Sequence, residues 1–178
     1  MYRLLIEEGI QKDSVKKYGY KKLKNGTELF VIKDSEKPDK WFHALYGALS
    51  EEEILEFESS TNTAFPPAYK EFLKEYNGIR IFENNIIIYG RNVLRKGMTR
   101  EEQIFQPLDL KLEQKYLNGL PEEFFYFGQS DEKFIYVISS ENEHILEIDI
   151  KKNQFTNQWT SIYEWLKQKI TEFAVYEH

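Results

Sequence analysis

The chain has 178 residues, 41% of them hydrophobic and 16% aromatic, enough to bury one substantial core, and a single domain is expected. It has no cysteine, which excludes disulfides, thiolate zinc sites and cysteine nucleophiles. The net charge of -6 is uneven: residues 1 to 40 carry ten Lys/Arg and seven Asp/Glu, and the remainder carries 14 basic against 23 acidic groups. An acidic body argues against direct nucleic-acid binding and favours a basic protein partner. No run of about twenty apolar residues suits a membrane span. The start "MYRLLIEEGIQKD" places acids too early for a signal peptide, so a cytoplasmic location is expected.

In chain order, a short amphipathic helix is predicted either over Ser14 to Tyr18 or nearer Tyr2. The basic stretch with Lys16, Lys17, Lys21, Lys22 and Lys24 reads as a solvated rim. Asn25-Gly26 predicts a turn into a strand at "TELFVIK", with a weakly signalled hairpin across it, and "SEKPDK" reads as a linker. "WFHALYGAL" is open to helix or strand. Ser50 and Glu53 form a capping box for a helix with Ile54, Leu55 and Phe57 on its apolar face. Pro66 or Pro67 starts the next helix, in which Tyr69, Phe72, Leu73 and Tyr76 make one apolar stripe, and Asn77-Gly78 is expected to stop it with a left-handed φ.

"IRIF" and "IIIYG" read as short strands, the Ile86 to Ile88 run being buried on both faces. Thr99 and Glu102 suggest a capped short helix, and another is expected about Leu110 to Leu117. "FFYFG", "KFIYVIS" and "HILEIDI" predict an antiparallel meander, which "QFTNQW" extends. A last helix is capped by Ser161 and Glu164, with Ile162, Trp165, Leu166, Ile170 and Phe173 inward and "AVYEH" at its frayed end. The sum is an α+β domain whose antiparallel or mixed sheet packs against helices.

Chemistry-bearing residues are few. The histidines His43, His144 and His178 have no ligand spacing, so no metal or cofactor is expected. Glu58 with Asp131 or Glu132 has the residue types of a glycosidase pair, but nothing local sets their separation, and Glu58 is better placed to bond the backbone of the following loop. Tyr89 has no adjacent base to make it a nucleophile. The protein is therefore read as a non-enzyme.

The order Ile54, Phe57-Glu58, Phe65-Pro66, Tyr69-Lys70, Phe72-Leu73 and Asn77-Gly78 resembles the core pattern of the SUKH superfamily, which includes bacterial immunity proteins and fungal cell-wall-synthesis regulators. Phe65 stands where leucine is commoner. Phe127-Gly128 and the closing helix also fit, so the resemblance covers about residues 50 to 174, with 1 to 49 a family-atypical extension of one domain. Its structural motif residues here are Glu58, Pro66, Tyr69, Leu73, Asn77 and Gly78. The resemblance implies an immunity protein that neutralises a cognate toxin, a nuclease in many cases, by direct contact. The alternative it leaves is a regulatory protein-binding scaffold unrelated to toxins. The expected partner contacts are Glu83, Asp131, Glu132, Glu141 and Glu143, because turns and strand ends project side chains without disturbing a core.

Overall fold

The computed structural model describes residues 1–32, 40–116, 121–131 and 133–174. Among them nine strands form one sheet: β1 (Tyr20–Lys22), β2 (Glu28–Ile32), β3 (Trp41–Gly47), β4 (Tyr76–Ile81), β5 (Ile86–Ile88), β6 (Phe124–Ser130), β7 (Phe134–Ser139), β8 (Ile145–Asp149) and β9 (Gln154–Trp159). They lie side by side in chain order and every neighbouring pair is antiparallel. The helices are α1 (Tyr2–Gly9), α2 (Lys12–Val15), α3 (Glu51–Thr61), α4 (Pro67–Leu73), α5 (Arg100–Ile104), α6 (Leu110–Tyr116) and α7 (Ile162–Ala174), with a 3-10 turn at Lys16–Tyr18. This is the single α+β domain, antiparallel sheet against helices, that the sequence predicts.

Local chemistry explains the helix starts. Ser50 and Glu53 exchange both hydrogen bonds of a capping box at α3, and Thr99 and Glu102 do so at α5, satisfying amides that the first turn leaves open. Pro67 opens α4 with Pro66 as its N-cap. At α7 the Glu164 amide donates to the Ser161 hydroxyl. The open choices resolve toward extended backbone: "WFHALYG" is β3, and the hairpin over Asn25-Gly26 forms, pairing Lys22 with Glu28. At the N-terminus a helix near Tyr2 and a second short one at Lys12 both form.

Two helix faces are corrected. Leu55, expected on the apolar face of α3 with Ile54 and Phe57, is exposed. Tyr76 is buried as predicted but lies in β4, not in the helix, because α4 ends at Leu73 and the chain is extended again by Tyr76. Gly78 does take a left-handed φ, +84°, but from inside β4. A side chain there would place its Cβ 2.7 Å from the Ile88 carbonyl oxygen on β5, so the residue permits close strand approach rather than ending a helix.

The main core is continuous from Tyr2, Ile6 and Ile10 through Phe57, Tyr69 and Phe72 to Trp165 and Ile170. A smaller cluster of Leu23, Leu29, Trp41, Ala44, Tyr46 and Phe105 joins the end of α5 to the N-terminal strands. Residues 1–47 therefore contribute to both cores and to three strands of the sheet.

Candidate partner-binding surfaces

The motif residues form a scaffold beneath the surface. The Glu58 carboxylate accepts from the Phe65 amide at 2.7 Å and from the Lys70 ammonium at 2.8 Å, tying α3 to the loop before α4. The Lys70 hydrogen bond, helped by the Phe65 amide, holds this carboxyl below its ordinary range. Tyr69 donates its hydroxyl to the Tyr89 carbonyl at 2.8 Å, and burial pushes its phenol well up. Leu73 is fully buried. Asn77 accepts from the Arg91 amide at 2.6 Å and donates to the Arg91 carbonyl at 2.8 Å. The net effect is to fix where the long crossover between β5 and β6 leaves the sheet.

That crossover forms one wall of a cleft of about 370 Å³. Arg95, Lys96 and Met98 stand on this wall, facing Lys24 and Asn25 of the β1–β2 turn. Glu102, buried, holds the walls together by accepting from the Asn25 amide at 2.9 Å as well as from its own cap residue Thr99. Arg95 is paired with Glu53, whereas Lys24 and Lys96 have no ion pair among the described residues. Sequence spacing gives no sign of the cleft, because Asn25 and Glu102 are 77 positions apart.

The predicted acidic contacts do not make one patch. Glu83 follows β4 and Asp131 follows β6, at the same end of the sheet, where the Asp131 amide donates to the Asn84 carbonyl at 3.0 Å. Glu141 and Glu143 lie in the β7–β8 turn at the opposite end. Antiparallel strand direction makes this separation. Glu132 and His178 lie outside the described residues, as do residues 35–39 of the predicted linker 35–40, Leu117 and residues 175–177 after α7.

The polar interior is committed to structure. His43 is buried and its Nδ1 accepts from the Phe82 amide at 3.2 Å. His144 contacts Gln158 on β9. The Tyr89 hydroxyl meets that of Tyr126 and donates to Gln129 at 2.6 Å, and burial raises both phenols, so they stay protonated at neutral pH. Among the described residues no cluster of three or more His, Asp or Glu is arranged to hold a metal ion, and no helix is long and apolar enough to cross a membrane.

A second buried network closes the far side. Glu147 on β8 accepts from the Lys169 ammonium at 2.9 Å, the Tyr136 hydroxyl at 3.0 Å, Thr156 at 2.7 Å and Asn157 at 2.8 Å. Burial pushes this carboxyl up, but the hydrogen bonds from Thr156, Lys169 and Asn157, with the ammonium charge, outweigh it and leave it below its ordinary value. Lys169 also sits over the Tyr136 and Trp159 rings.

The sheet, the motif scaffold beneath it and the capped helices define an α+β domain of the SUKH kind. Residues 48–168 match the model of the SMI1 / KNR4 family (SUKH-1), and the chain belongs to that family, which is associated with immunity and regulatory proteins. No curated protein matches the chain. The match begins at the end of β3, so one wall of the cleft, from Lys24 to Gly47, comes from residues outside it.

Proposed function

We propose that this protein is an immunity protein that binds a cognate bacterial toxin, a basic nuclease, and neutralises it by direct contact in the cytoplasm. Family membership supports a protein that works through partners, and the distribution of charge supports a basic one. Residues 117–178 carry eleven acidic against five basic groups, whereas the crossover 91–116 carries six basic against four acidic. The acidic C-terminal third steers a basic partner, raising association rate and rejecting acidic competitors. That asymmetry is the observation on which the reading rests.

The second reading, a regulatory scaffold unrelated to toxins, draws support from Leu94, Ile104, Leu108 and Leu112, four large aliphatic residues exposed on the crossover. Co-expression with the product of an adjacent toxin gene, purification of the complex and an assay of the toxin's activity separate the two. The immunity reading expects a stable inhibited complex whose association slows as salt rises. Absence of binding and protection with every neighbouring toxin, or association indifferent to salt, would transfer preference to the scaffold.

A further inference from the structure

The two edges of the sheet are built differently. β1 is three residues long and carries Lys21 and Lys22, paired with Glu101 and Glu28, and such charges keep an edge from pairing with another chain. β9, "QFTNQW", is six residues long, exposed along five of them, and has no charge. Phe155 stands 60% exposed within it.

Backbone geometry says what that edge can accept. Across β7 and β8 the Ser139 amide donates to the His144 carbonyl at 2.9 Å and the Ile150 amide to the Lys133 carbonyl at 3.0 Å, so even-numbered residues of β8 bond β7 and odd-numbered ones bond β9. Ile145, Glu147 and Asp149 stand opposite Trp159, Asn157 and Gln154, which leaves the peptide groups of Phe155 and Gln158 turned outward. These two are three positions apart instead of two, because Thr156 is an extra residue in the strand, a bulge. The bulge has an internal cause. The Thr156 hydroxyl and the Asn157 side-chain amide both donate to Glu147 Oε1, at 2.7 and 2.8 Å, which successive residues of a regular strand, pointing to opposite faces, do not do. A regular strand from another protein offers outward groups at every second residue and cannot match the wider spacing. A second β9 running antiparallel matches it, since it brings the same extra residue to the same place.

Charge at the ends of β9 fits the same occupant. Lys151 and Lys152 precede the strand, while Glu164 follows it in the first turn of α7. Glu141 and Glu143 lie at that acidic end too, because Ile145, just after their turn, pairs with Trp159. All five are exposed, and apart from a 3.8 Å contact of Lys152 with Asp149 none has an ion pair among the described residues. Antiparallel pairing sets the basic end of one copy against the acidic end of the other. We infer that the protein forms a twofold dimer through β9, its axis between Thr156 and Asn157, with Phe155 opposite Gln158 of the partner subunit and the two sheets continuous across the joint. Such an interface is closed, because the lysine-bearing β1 edge offers no place for further copies. The inference does not depend on what the toxin is.

Sedimentation equilibrium of the full chain over a range of concentrations tests it. A monomer–dimer equilibrium is expected, with amide exchange at Phe155 and Gln158 slowing as concentration rises. Gln158→Pro removes an outward donor that no internal bond uses, so it should leave the urea midpoint near that of the wild type and raise the dimer's dissociation constant about tenfold or more. Lys151→Glu and Glu164→Lys should each weaken the dimer about threefold at low salt, and the two together should restore it, since the pair is then reversed across the joint. A chain still monomeric at about 100 µM, or a dimer with the same dissociation constant after Gln158→Pro, would overturn the inference. So would a dimer in which the paired charge reversals fail to compensate, because the strands would then meet in another register. Should Gln158→Pro fail to fold, the exchange and charge-reversal results decide.

Discussion

Replacing Lys169 with methionine isolates the buried network behind β8 and β9. The ammonium is about as buried as the carboxylate it neutralises, with side-chain exposures of 9% and 3%. Removing one partner of such a pair leaves an uncompensated charge and costs about 3–5 kcal/mol. Glu147 keeps three neutral donors, Tyr136, Thr156 and Asn157, and methionine preserves most of the packing, so we expect about 3 kcal/mol by urea denaturation at pH 7. The sign with pH is specific. In the wild type the depressed Glu147 carboxyl contributes stability above the ordinary carboxylate pKa, and that contribution is lost as pH falls through the lower folded value. Without Lys169, burial pushes the carboxyl the other way, so the variant's deficit should be smallest near pH 4 and grow toward neutrality. Adding Glu147→Gln should recover most of the loss, since a neutral amide carries no charge to strand. A single variant within about 1 kcal/mol of wild type at pH 7, or a deficit flat with pH, would refute the assignment of this pair as a buried, charged network.

Leu73→Ala, at a fully buried position, should cost about 2–5 kcal/mol by the same denaturation measurement. Gly78→Val should cost roughly 3 kcal/mol, from left-handed strain and the clash with the Ile88 carbonyl, and Gly78→Ala should still be clearly destabilising because the Cβ is the offending atom. Asn77→Ala strands the Arg91 backbone and should cost about 1–3 kcal/mol, with faster amide exchange at Arg91 than in the strands it leaves.

Elements whose cause is local were legible in the chain. Ser50 with Glu53 and Thr99 with Glu102 announce their helices because a cap is a contact between residues three apart. Tyr76 misled because its offset from Tyr69 fits a helix face, while the early stop of α4 has no residue that signals it and the backbone turns extended under tertiary packing. β3 read ambiguously because Ala44 and Leu45 face different cores, which removes the alternation that marks a half-exposed strand. The acidic residues were visible one by one, but which of them share a rim depends on strand direction and register, and Phe155 gave no signal apart from lying in a strand.

Strand order that repeats chain order has a consequence for how the chain assembles. Each strand finds its neighbour already made, so the sheet can grow from either end by short closures, the longest between adjacent strands being the crossover from Ile88 to Phe124. The exception is the seam where α1 packs on α7, with Gly9 so close to Ile170 that a Cβ there would lie 2.3 Å from its Cγ2. Tyr2 can pack on Phe72 as soon as α4 has formed, but the side of α1 that meets α7 is covered only once that much later helix is in place. Mutations in this seam should therefore speed unfolding while leaving the refolding rate almost unchanged, which makes it the latch of the domain rather than its nucleus.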